Sequence, residues 1–210
     1  MPVIFPRWTL KVPLLLAVGI PTVAVLVVCA AWYYGSPWYT DVGYQPVQPV
    51  PYSHKLHAGD LGIDCRYCHN TVEVAAWAAL PPTQTCMNCH AIVLKDSPNL
   101  ALVRESLASG NPIPWVRVHK VPDFTFFDHS AHVTAGVGCV TCHGRLDQMP
   151  ALRQEKPLSM GWCLDCHRDP TPNLRPLSEV TNMAWVRPAS GEIVSPRPVH
   201  PPTYCSGCHR

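Results

Sequence analysis

The chain has 210 residues, among them 24 prolines, 11 cysteines and 11 histidines, with 14% charged residues and a formal net charge of +2. Proline at about twice its usual share of roughly 5% argues against long soluble helices or a broad sheet. No basic cluster suits a nucleic-acid partner, and no phosphate loop, nucleophilic triad or carboxylate pair points to hydrolytic or phosphoryl chemistry.

Residues 1–11 form a flank that carries Arg7 and Lys11. Residues 12–34 contain no charge, and a helix of that length, rising about 1.5 Å per residue, reaches roughly 34 Å, enough to cross a bilayer core. Pro13 and Pro21 are tolerable in such a helix. Trp32, Tyr33, Tyr34, Trp38 and Tyr39 form an aromatic belt at its far end. The basic flank then belongs in the cytoplasm and everything after residue 40 outside, as in a single-pass protein of a bacterial inner membrane with a periplasmic domain. The rival reading is a cleaved signal peptide, but the apolar run exceeds the usual h-region. Cys29 follows Val28, a poor lipobox residue, and reads as an apolar helix position.

Residues 35–52 read as an extended linker with Pro37, Pro46, Pro49 and Pro51. The remaining 53–210 form one domain. Within it, Ser97 as N-cap, Pro98 at the first helical position, Leu100, Val103 and Leu107 on one face, and Gly110 with Pro112 as a stop predict a helix. Residues 72–79 are a second, shorter helix candidate. No series of strands is expected, and 170–202 reads as a proline-spiked wrapping connector.

Five segments read Cys-x-x-Cys-His: Cys65-Arg66-Tyr67-Cys68-His69, Cys86-Met87-Asn88-Cys89-His90, Cys139-Val140-Thr141-Cys142-His143, Cys163-Leu164-Asp165-Cys166-His167 and Cys205-Ser206-Gly207-Cys208-His209. This spacing is the attachment signature of c-type haem. The two thiols add to the two vinyl groups of one porphyrin, and the adjoining histidine becomes the proximal iron ligand. Zinc sites, redox dithiols and disulfides also use paired cysteines, but none requires a histidine after every second cysteine. With 11 histidines in 210 residues, five such coincidences have a chance on the order of one in a few million, so the motif is decisive. Five covalently bound haem c groups are expected. Large flat cofactors would also supply the core that a short, irregular domain lacks, and their propionates would make the loaded protein more acidic than its composition suggests.

An internal repeat organises the motifs. His54-x-x-His57 precedes the motif at Cys65, with a second motif at Cys86. His129-x-x-His132 precedes Cys139, with a second at Cys163; the motif at Cys205 is appended. His54, His57, His119, His129 and His132 are the candidate distal ligands, five for five irons. All-histidine ligation implies saturated, low-potential iron, whereas an axial methionine would raise one potential. Met149, Met160 and His200 are the alternative distal ligands; Met87, inside a motif, is a poor one. A catalytic multihaem reductase needs an open iron position, and no histidine is missing here. The task left is electron transfer.

The stretches SHKLHAGDLGIDCRYCH with PPTQTCMNCH, and VHKVPDFTFFDHSAHVTAGVGCVTCHGRLDQMP with LSMGWCLDCHRDP, resemble the pentahaem cytochrome c subunit of alternative complex III. The resemblance covers nearly the whole chain. It implies a multihaem cytochrome c fold of short helices and irregular loops wrapped around haems, plus one N-terminal transmembrane helix. It also implies a relay from an iron–sulfur protein subunit, beside polytopic quinol-binding subunits, towards a monohaem cytochrome c subunit, a soluble cytochrome c or small copper protein, or a terminal oxidase. In that family the first histidine of each pair serves the nearest downstream motif, which puts His54 on the haem of Cys65 and Cys68. The competing functional reading is a stand-alone membrane-anchored multihaem quinol dehydrogenase.

Overall fold

The computed structural model describes residues 4–189 and 198–209. The first three residues of the basic flank, residues 190–197 of the connector and Arg210 lie outside the described residues. The chain divides into two units, Met1–Asp41 and Val42–Arg210.

In the first unit a single 3-10 turn, Arg7–Lys11, leads into helix α1, Val12–Tyr34. Pro13 sits in its first turn, where no N–H is needed. Pro21 lies inside it, and near this break Thr22 Oγ1 donates to Val18 O at 2.8 Å. No side chain of α1 is buried. A helix apolar all round with none of its side chains buried suits lipid, and α1 is long and apolar enough to cross a membrane. The linker is not extended from its start. Ser36 takes an extended conformation, Pro37 opens a turn, and helix α2 covers Pro37–Thr40. The Tyr33, Tyr34 and Tyr39 rings pack at 4.8–5.7 Å.

The second unit consists of short helices and loops. Among the described residues no strand forms, and two isolated bridges pair Thr125 with His209 and Val137 with Leu174. A wide π-helical turn covers Lys55–Asp60. Then come α3 (Cys65–Cys68), α4 (Thr83–His90), α5 (Ala101–Ser109), α6 (His129–Thr134), α7 (Cys139–His143), α8 (Met160–Arg168) and a closing 3-10 turn, Cys205–Gly207. The wide turn lies so close to the loop after α7 that a Cβ on Gly59 would run into Asp147 O. Lys55 N donates to Met149 O there at 2.9 Å.

Buried apolar side chains are few and mostly small: Val50, Val103, Val118, Leu174 and Val180, with Met149 and Met183. Meanwhile Trp77, Ile92, Phe124 and Tyr204 stand at least 65% exposed. Side chains alone do not give this unit a sufficient core.

Two local expectations need correction. The helix expected from Pro98 begins as a 3-10 turn, Pro98–Leu100, and becomes α-helical at Ala101, with Gly110 closing it at φ 74°. Ser97 makes no side-chain cap bond. The tight first turn also alters which face is covered: Val103 and Ser106 are buried while Leu107 is 41% exposed. Ser106 Oγ is held by Thr83 Oγ1 at 2.7 Å and donates to Asn111 O at 2.6 Å. Residues 72–79 form turns, not a helix. Their carbonyls are used elsewhere: Ala75 O accepts from Ser130 N, Ala76 O from His129 N, and Ala79 O from His69 Nδ1. Thr71 Oγ1 donates to Trp77 O and accepts from Ala79 N, which folds the loop back on itself.

Candidate functional site

Each cysteine motif lies on one helical turn, so its two thiols, three residues apart, share a face. Local chemistry starts these turns. Asp64 accepts from Arg66 N at the head of α3, and Ser159 Oγ accepts from Trp162 N at the head of α8. Motif histidines fall at or just beyond the C-terminal ends: His69 leaves α3 with ψ 58°, while His90, His143 and His167 lie in last turns.

The nitrogens of these rings carry the strongest signal. His69 Nδ1 donates to Ala79 O, His90 Nδ1 to Val93 O, His167 Nδ1 to Pro202 O and His209 Nδ1 to Phe124 O, at 2.7–3.3 Å. Outside the motifs, His57 Nδ1 donates to Ser53 O, His129 Nδ1 to Ala76 O and His132 Nδ1 to Asp128 O, at 2.6–2.9 Å. A carbonyl only accepts, so each of these rings carries a proton on Nδ1, leaving Nε2 as the nitrogen able to bind a metal. Metal-bound imidazoles are braced in this way. His119 keeps a buried Nε2 without a partner; His54 instead leaves Nδ1 buried and unpartnered, so its ring lacks the brace.

Ring spacing supplies the second signal. With metal–imidazole bonds of about 2.0–2.1 Å and each ring centroid about 1.1 Å behind its nitrogen, two imidazoles sharing one ion stand about 6.3 Å apart. His57 and His90 are 6.2 Å apart, His129 and His143 6.4 Å, and His132 and His167 6.1 Å. His119 stands 4.3 Å from His143, edge on, too close to share an ion with it. His54 lies near enough to His69 for the two rings to repel each other's charge.

The two halves of the repeat set one aromatic ring against their histidine pair in the same way. The Tyr52 ring meets His54 edge on at 4.9 Å and stacks on His57 at 4.5 Å; the Phe127 ring treats His129 and His132 alike, at 4.8 and 4.6 Å. These two aromatics escaped the sequence reasoning. Their signal was an aromatic residue two positions before each His-x-x-His.

Burial, then neighbouring imidazoles, pushes His54 and His119 down to about 4 and His143 to about 3. They are neutral at physiological pH, the form that binds metal. Burial also raises the thiols of Cys68, Cys86, Cys142, Cys163 and Cys166. All eleven cysteines are free. Among the described residues no three His, Cys, Asp or Glu side chains converge on a bare ion. The donor set instead comprises thiol pairs beside single imidazoles, and it fits covalently attached haem.

Met149 is 3% exposed beneath the wide turn, Met160 opens α8 at 65% exposure, and His200 is exposed on the connector. His209 has Phe124 as its ring neighbour, at 5.7 Å.

Comparison with known proteins agrees with this chemistry. Residues 125–210 match the family of cytochrome c7 and related cytochromes c. In class, the fold is that of multihaem cytochromes c, helical and loop-rich, and the family match lies within the second half of the chain. Over 100 residues it is 40% identical to the "Menaquinone reductase, multiheme cytochrome c subunit" of Nitratidesulfovibrio vulgaris (strain Hildenborough). The alignment covers 47% of each chain, so the match spans about half the length of that relative.

Proposed function

We propose that this chain is the pentahaem electron-transfer subunit of a membrane complex that exchanges electrons with a quinone pool, of the alternative complex III type. Haem c, when bound, supplies a one-electron iron couple at each motif. The thiols of Cys65 and Cys68, Cys86 and Cys89, Cys139 and Cys142, Cys163 and Cys166, and Cys205 and Cys208 would tether the five groups. His69, His90, His143, His167 and His209 would hold them from the proximal side. On the distal side His57 serves the motif of His90, His129 that of His143, His132 that of His167, and His54 that of His69. His119, Met149, Met160 and His200 are the candidates for the fifth. The observation that carries this reading is the three imidazole pairs at 6.1–6.4 Å, each with Nδ1 of its distal ring tied to a carbonyl.

Sulfur neighbours suggest an order for the attachment sites. Cys68 adjoins Cys86, the thiols of Cys65 and Cys139 interact directly, Cys142 adjoins Cys163 and Cys166, and Cys163 adjoins Cys208. Asn88 Nδ2 bonds Tyr67 Oη at 3.0 Å, joining the second motif to the first. Phe126 N donates to Cys208 O at 2.7 Å, drawing the fifth motif onto the second half. The sites therefore run second, first, third, fourth, fifth.

The relative's name concerns menaquinone reduction, whereas alternative complex III oxidises quinol. A relay of saturated irons serves either direction, and the driving force comes from its partners. Support for membrane attachment comes from α1, with 1–11 in the cytoplasm and 53–210 in the periplasm. Partners would be an iron–sulfur subunit, polytopic quinol-binding subunits, and an acceptor such as a monohaem cytochrome c, a small copper protein or a terminal oxidase. Purification from membranes under mild detergent tests this: those subunits should co-purify, and the separated chain should not be reduced by quinol. Reduction of the lone chain by quinol would favour the stand-alone quinol dehydrogenase.

A further inference from the structure

The connector after α8 carries a buried cation with no ion-pair partner among the described residues. Leu174 and Arg175 run antiparallel to residues 136–138: Arg175 N donates to Gly136 O at 2.9 Å, and Val137 bridges Leu174. Four residues beyond Pro176, Val180 O accepts from Cys139 N at 3.1 Å. Two glycines make this contact possible. At Gly136, with φ 90°, a Cβ would stand 2.5 Å from Arg175 O; at Gly138 it would run into the guanidinium of Arg175. The guanidinium therefore lies against the residue just before Cys139.

Arg175 is 6% exposed. Its Nη1 donates to Glu179 O at 3.3 Å and Asn182 O at 2.9 Å, and its Cζ stands 5.0 Å from the Trp185 ring centroid. Its Nε is buried without a partner. Among the described residues no carboxylate forms an ion pair with it; the paired arginines are Arg66, Arg145, Arg153 and Arg168. Guanidinium stays charged, and burying it uncompensated is costly.

We propose that Arg175 sets the reduction potential of the haem held by Cys139 and Cys142, as a positioned charge that favours the ferrous state. The inference rests on haem attachment at that motif. When one electron converts ferric to ferrous iron, the charge of the site falls by one, and a fixed cation beside its tether stabilises the product. The motif is also the middle of the proposed order of sites, so the effect raises the potential of the central carrier of the relay.

The test is a redox titration of the full-length, haem-loaded protein in detergent, followed by visible and EPR spectra, with haem content read by mass. Arg175→Met should lower the one-electron reduction constant of one haem roughly tenfold, about 59 mV, with the others and the haem count unchanged. Arg175→Lys, which keeps the charge but not the planar fork, should restore the original value. A fully loaded Met variant with unmoved potentials overturns the proposal, as does a Lys variant that shifts as far as Met, since that would mark a packing role. Should the Met variant fail to assemble, Glu179→Gln at a half-buried position removes the nearby opposing charge and should raise the same potential; no movement there also overturns it. Wild-type protein lacking haem on Cys139 and Cys142 would instead remove the attachment reading beneath it.

Discussion

Three candidate distal imidazoles, His57, His129 and His132, stand 6.1–6.4 Å from a motif histidine, and His54 lies near His69. His57→Ala should convert one low-spin haem to high spin, the one tethered by Cys86 and Cys89, while its thioethers remain. His54→Ala and His132→Ala should do the same at Cys65/Cys68 and Cys163/Cys166. The count of low-spin signals by EPR checks all three, and an unchanged count contradicts the assignment. The five Cys-x-x-Cys-His motifs were legible in the sequence because attachment chemistry fixes their spacing. The ring pairs were not legible, because they depend on which imidazoles packing brings to about 6 Å; the repeat showed only that four histidines were equivalent two by two. Arg175 was invisible for the same reason, being one arginine in a stretch without a motif.

Asp64 gives a pH signature at this scale. Its side chain bonds Arg66, and Thr181 Oγ1 donates to it at 2.9 Å, tying the connector to the first motif. The Arg66 guanidinium holds the Asp64 carboxyl down to about 2 from a usual 3.8. The folded form therefore binds this proton less readily than the unfolded chain. The contact contributes fully above about pH 4 and is lost as pH falls towards 2. The pair is partly exposed and screened, so Asp64→Asn should cost about 1 kcal/mol or less at neutral pH. Acid denaturation should show a smaller stability difference between Asp64→Asn and wild type at pH 2–3 than at pH 7; an equal difference contradicts the linkage.

Among the elements, the helix read best was α1, whose bounds are those of the uncharged run 12–34; for α5 the local signals Pro98 and Gly110 placed the segment, but its first turn is 3-10. The turn at 72–79 misled because its helical composition lost to tertiary demand, its carbonyls being taken by His69, His129 and Ser130. The wide turn at 55–60 depends on Gly59 lying against Asp147 O. Gly59→Val should push the first histidine pair away from the loop after α7 and lower the thermal midpoint by several degrees, with His57 ligation weakened first. Helix α1 makes a separate prediction. Val25→Lys puts a charge near the middle of the span at roughly 2.5–3.5 kcal/mol. Fractionation should then find less protein in the membrane; unchanged retention would argue that α1 is not the anchor.

At the scale of the whole molecule, the scarcity of buried apolar side chains and the abundance of Nδ1-braced imidazoles have one explanation under the proposed function: the second unit folds around haems that its side chains are shaped to hold. Its fold class was legible from five repeated motifs and from the prolines that forbid long elements; the proposed order of sites needed the packed sulfurs.

The most direct measurement is the intact mass of the purified chain together with its EPR spectrum. The account predicts a mass greater than the polypeptide by five haems, with low-spin ferric signals that account for every histidine-paired site. A mass equal to the bare polypeptide, or thiols at the ten paired cysteines that still react with alkylating reagent, would contradict it.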